Sequence, residues 1–175
     1  MQKFGLVSVL ALGIISANPA FAQASASANA TGSTTIVQPV TVTKTADLVF
    51  GRVVRPATGS DTVSITNASD AVTASGGSAV PVATTGVTTS RAKFTVAGEG
   101  GQTVALTIPA NFTMTGTGTD ILVTLSSDKT GSQSLGGSLG SSSSINVNVG
   151  GSFTLAAAQA AGAYTGSFTV SAAYN

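Results

Sequence analysis

The chain predicts an all-β sandwich of about nine or ten short strands. Three observations carry this. Apolar residues recur at every second position in runs of roughly five to eight, the period of a half-buried strand. Clusters of Gly, Ser, Thr, Asn and Pro punctuate the runs, as turns require. No long segment carries helical periodicity, and "AAAQAAG" (156–162) is the only helix-like stretch, expected to close at Gly162.

In chain order, Met1 to Lys3 form a short basic start and "FGLVSVLALGIIS" an apolar run of 13 residues. The small-residue site Ala20-Phe21-Ala22 follows, so residues 1–22 read as a secretory signal peptide. The run is short of the roughly 20 residues that cross a bilayer, and no membrane span is expected after cleavage. Residues 23–33, "QASASANATGS", form a flexible leader by composition, and 34–175 form the sandwich domain. Of seven Lys and Arg, Lys3 belongs to the signal, so the remainder balances the six Asp and Glu. With 7% charged residues and no basic patch, nothing argues for nucleic acid.

The first domain segment, "TTIVQPVTVTKT", puts Ile36, Val40 and Val42 on one parity and Pro39 on the other, so this strand should lie at an edge or start beyond the proline. "DLVFGRVVRP" is a strand anchored by Phe50, with Gly51 as a bulge or close approach. "TVSITN" is the next, and 68–90 reads as one weak strand inside long loops. "RAKFTVAGEGGQTVALTIP" reads as a hairpin turning at Gly98–Gly101. "NFTMTG" and "DILVTLSSD" follow, then a flexible loop over 131–144. "INVNVGGSFTL" is read as two strands turned by Gly150-Gly151. The closing strand, "GAYTGSFTVSAAYN", alternates Tyr164, Phe168, Val170 and Tyr174 with small hydroxyl residues.

Catalytic chemistry is hard to build from these residues. The chain has no His and no Cys, so the usual general base, the thiol nucleophile and the commonest metal ligands are missing. Asp47, Asp61, Asp70, Glu99, Asp120 and Asp128 stand apart, mostly at turns, and read as turn caps. No catalytic, cofactor or metal site is expected. Seven aromatics beyond the signal are too few for the girdles of a membrane barrel. Function should therefore lie in surfaces and strand edges.

"DLVFGRVV", "AKFTVAGEGGQTVALTIP" and "INVNVGGSFTL" with "GAYTGSFTVSAAYN" resemble the uncharacterised bacterial exported family known as domain of unknown function 4402. That family is similar to spore-coat-U-like and archaic chaperone–usher pilin subunits. The resemblance spans roughly 36–175 and implies an immunoglobulin-like sandwich that a donated strand can complete. It implies an exported, non-enzymatic structural subunit, fimbria-like, partnered by its own copies or by a periplasmic chaperone and usher. Two departures stand out: the chain lacks the disulfide of many such subunits, and its leader alternates only Ala. Ile36, Val40 and Val42 are then either the donor or the domain's own first strand. Tyr164, Phe168, Val170 and Tyr174 either face the core or border an open edge that takes a partner strand. The competing expectation is a monomeric secreted adhesion or carbohydrate-binding module.

Overall fold

The computed structural model describes residues 25–76, 78–82 and 86–175; the expected signal peptide, 1–22, lies outside them. Residues 25–35 carry no regular structure and are exposed. Ile36–Asn175 forms one compact unit. Its strands are β1 (Thr41–Ala46), β2 (Arg52–Val54), β3 (Ser60–Ile65), β4 (Val72–Ser75), β5 (Val80–Val82) and β6 (Ala92–Glu99). They continue with β7 (Thr103–Thr107), β8 (Asn111–Met114), β9 (Ile121–Ser127), β10 (Gly131–Ser134), β11 (Ser142–Ala156) and β12 (Ser171–Tyr174). There is no helix among the described residues. The fold is an all-β arrangement of packed sheets, as the period-two pattern predicts.

β11 organises the molecule. Its first half, Ser142–Val149, pairs with β6, and Gly151–Ala156 pairs with β3 along the same edge. β9 pairs along the opposite edge at Val149–Ser152. Gly150-Gly151 therefore does not turn the chain; it lies inside one continuous strand of 15 residues. The glycines serve close approach. A Cβ on Gly150 would collide with the backbone of Ile65–Asn67, where the partner changes from β6 to β3. A Cβ on Gly151 would sit 3.0 Å from Leu48 Cδ2 and Val123 Cγ1, inside the core.

Two core lobes follow from that long strand. In the first, β1-β6-β11 packs against the second sheet, β10-β7-β12, around Phe94, Val96, Val104, Leu106, Val147 and Val149. β6 and β7 thus belong to different sheets, and Gly98–Gly101 is a corner between layers, not a hairpin turn. Both strands are apolar on one face only, and facing each other across the core buries both stripes. The expected 131–144 loop is also corrected. Its first residues form β10 on β7, and Leu135 is 1% exposed in this lobe, so the segment is half structural.

The second lobe collects Phe50, Val63, Ile65, Ile121, Val123, Phe153 and Leu155 on the sheet of β4, β3, β11, β9 and β8. Phe50 meets Phe153 edge-on at 5.0 Å between centroids. The cover of this face is partial: Val53 of the two-stranded β2-β5 sheet, with Leu48, Ala79 and Tyr164 from irregular segments, packs over part of it. "AAAQAAG" forms a bend and turns here instead of a helix, held by long-range hydrogen bonds from Gln159 to Thr119 and from Arg55 and Thr117 to its carbonyls. The expected closing strand is regular only over Ser171–Tyr174. Between 68 and 90 two strands form, β4 on β3 and β5 on β2.

Candidate functional site

The incomplete cover of the second lobe leaves a cleft of about 880 Å³. Its floor is Met114, Ile121, Phe153 and Leu155, the inward face of β8, β9 and β11. One wall is Phe50–Arg55. It turns at Gly51, whose φ of 73° suits glycine, and a Cβ there would sit 2.9 Å from Thr89 Cγ2. That wall pairs outward, Val49 with Ser90 and β2 with β5. The opposite wall is Ala160–Gly166, fastened outward by the mutual Thr115–Thr165 backbone bonds at 2.9 Å. Gly116, Gly118 and Gly166 let this wall lie tight on the 113–118 segment: a Cβ on Gly116 or Gly118 would collide with Ala160–Tyr164, and one on Gly166 with Thr113.

Gln159 closes one end of the cleft. Its side-chain amide donates to Thr119 O and to Tyr164 Oη (2.8 Å), while the Gln159 main-chain carbonyl accepts from Arg55 Nη1 at 2.6 Å. Tyr164 Oη in turn donates to Ala160 O at 2.9 Å. Between the two walls no strand is paired among the described residues. The cleft is thus apolar below, with walls whose backbone pairing is to β5, Ser90 and Thr115, and with Arg52 and Arg55 among its lining.

Four of the six carboxylates, Asp61, Asp70, Glu99 and Asp128, hold backbone N–H groups, by routes the sequence hides. Asp61, 4% exposed in β3, accepts the backbone N–H groups of Ser78 (2.9 Å) and Ala79. Asp70 accepts Lys93 Nζ at 2.8 Å and the Arg91 N–H at 3.1 Å, and those bonds hold its pKa below the ordinary 3.8. Partial burial opposes ionisation of Asp128, but hydrogen bonds from the Asn148 backbone and side chain, both 2.8 Å, outweigh it and lower its pKa. Glu99, 2% exposed, is the deepest of them and was expected only at a turn.

A family model described as a domain of unknown function, DUF4402, matches residues 40–174. The chain belongs to the DUF4402 family. No curated protein and no solved structure matches it.

Within this DUF4402 domain the residues singled out from sequence fall into separate places. Val42 lies in β1 and Val40 just before it, both half-buried against the first lobe; Ile36 is 87% exposed. Tyr164 lines the cleft, whereas Val170 is buried in the first lobe and Tyr174 packs against it. Phe168 links the lobes, 6.1 Å from Phe94 and 5.2 Å from Phe112 between ring centroids. The outer edge of β12 carries no strand among the described residues. Sequence reasoning missed Gln159 and the Ala-rich wall around it. The signal was present: a lone amide in an Ala run opposite a Gly-Thr repeat marks a polar tie in a small-residue contact.

Proposed function

We propose that this DUF4402 domain is a non-enzymatic, exported structural subunit of a surface polymer, assembling by β-strand addition. One observation carries the reading: the second lobe has an apolar sheet face at the floor of a cleft, and no paired strand lies between the cleft walls among the described residues. The occupant is residues 25–37 of a second copy, with Ile36 as its apolar anchor. In this chain those residues are exposed and outside every strand, and burying one Ile contributes about 1.5–3 kcal/mol. Export rests on the apolar run and Ala-Phe-Ala site near the start.

Geometry favours a neighbour over self-filling. β1 starts opposite the first residues of β11, since Thr41 pairs Ala97 and Ala97 pairs Ser144. The cleft floor includes Leu155, at the other end of β11. Those ends are roughly 40 Å apart at about 3.3 Å per residue. Because β1 runs parallel to β11, the residues before it leave from the pole opposite the cleft. A donor at one pole and an acceptor at the other make a head-to-tail contact, which propagates as an open chain.

The test is the association state of the purified chain against a variant beginning at Gln38, followed by light scattering. The full chain should form a ladder of oligomers, and the shortened one should stay monomeric and bind a peptide of residues 25–37. A stable monomer from both, binding no peptide, overturns the reading and leaves the secreted-module alternative. Binding only to a chaperone strand would keep the cleft but reject self-assembly.

A further inference from the structure

The opposite pole holds a second device, built on a buried carboxylate that the cleft does not use. Glu99 ends β6 at the corner between the sheets and is 2% exposed. Its Oε2 accepts the Gln38 N–H at 3.1 Å and its Oε1 accepts the Gly140 N–H. The Glu99 N–H donates at 2.6 Å to Tyr174 Oη, which itself donates at 2.7 Å to the Gln38 carbonyl. Ser142 Oγ adds a 2.8 Å bond to the Gln38 side chain. A Cβ on Gly98 would collide with the Tyr174 hydroxyl, so glycine is what admits the ring there.

Burying a carboxylate is costly unless hydrogen bonds replace its hydration. Here backbone N–H groups do so, and charge-assisted bonds of this kind are the stronger sort. The gain over an apolar side chain is geometric. Glu99 and Tyr174 grip both the N–H and the C=O of Gln38, from two different strands. Gln38 is three residues before β1, and β1 is the edge strand of its sheet. An edge strand peels from its free end, one ladder bond at a time. Any pull on the residues before Gln38 must break this grip before it reaches Thr41.

We infer that Glu99 and Tyr174 anchor the N-terminal segment, fixing its exit point and passing tension on it into the β6–β7 corner and β12 rather than into β1. The purpose rests on the strand-addition reading; the anchor itself is a property of the single chain and is measurable without assembly.

The experiment is residue-resolved amide hydrogen exchange on the purified chain, kept dilute enough to be monomeric, for wild type, Tyr174→Phe and Glu99→Gln. In Glu99→Gln the Gln38 amide should exchange at least about tenfold faster. In Tyr174→Phe the Glu99 amide should do the same, and the Gln38 amide should follow although Tyr174 does not accept from it. Val96 and Val147, in the core beside them, should stay within about twofold of wild type. A Gln38 amide unchanged in both variants overturns the anchor. So does equal acceleration of the core amides, which would reduce both residues to ordinary packing. If Tyr174→Phe fails to fold, Glu99→Gln decides by the same two readouts, and loss of folding in both also overturns it. Failure to assemble with the anchor intact would reject the subunit reading alone.

Discussion

Gly150 and Asp128 show how single residues carry this fold. Gly150 has ordinary strand backbone, yet a methyl group there would run into the backbone of Ile65–Asn67. Backbone cannot move aside as a flexible side chain can. Gly150→Ala should therefore destabilise the domain by about 1–3 kcal/mol or more, read as a shift in the denaturant midpoint; a change under about 0.5 kcal/mol would contradict the contact. Asp70 and Asp128 set an acid limit. Their folded pKa values lie below the ordinary 3.8, so as pH falls the unfolded chain takes up protons first. Stability is then full above about pH 4 and declines as pH drops through the lowered folded values. Asp128→Asn should flatten that decline below pH 4 while lowering stability at neutral pH, where its charge-assisted bonds to Asn148 are lost. Melts across pH 2.5–7 read both effects; an unchanged acid slope would show that Asp128 does not contribute.

Among the elements, β11 and the segment after β10 depart most from local expectation. β11 shows inward side chains on one parity from Val147 to Leu155, and two glycines do not interrupt that alternation. Two adjacent glycines signal a turn locally, but here three neighbouring strands supply the pairing that keeps the chain extended. Leu135 stands alone in a Gly-Ser run, which by composition is loop. The Gln102 carbonyl accepts its N–H at 2.8 Å, and its side chain fills the first lobe. Leu135→Ala should cost about 2–5 kcal/mol, as for other buried leucines. A flexible-loop residue would instead tolerate the change, and thermal or denaturant unfolding separates the two.

For the whole molecule the decisive property is polarity. The segment that leaves at Gln38 and the open cleft lie at opposite ends of β11. Mixing two defective copies tests this directly. Under the proposed strand addition, a variant beginning at Gln38 keeps only the cleft, and Met114→Glu, placing a charge on the cleft floor, keeps only the donor. Each should be monomeric alone, and together they should give a one-to-one heterodimer that grows no further. Higher oligomers from the mixture would mean a contact that does not run head to tail.

Alternating apolarity, the turn residues and the lack of helical period determined that the chain is all-β, and the same patterns placed β1, β3, β8 and β9. Those features are local, and side-chain period follows from backbone geometry alone. Which strands share a sheet was not local. Alternation looks the same whether β6 and β7 lie side by side or face each other, so the corner at Gly98–Gly101 read as a hairpin. The residues of the cleft were mostly visible as apolar positions, among them Phe50, Met114 and Ile121. That they form an incompletely covered floor depends on what every other segment leaves unfilled. The grip of Glu99 and Tyr174 on Gln38 spans separations of 61 to 136 residues. Only the folded chain brings such groups to hydrogen-bond distance, and there it decides what a buried acid and a last-strand tyrosine are for.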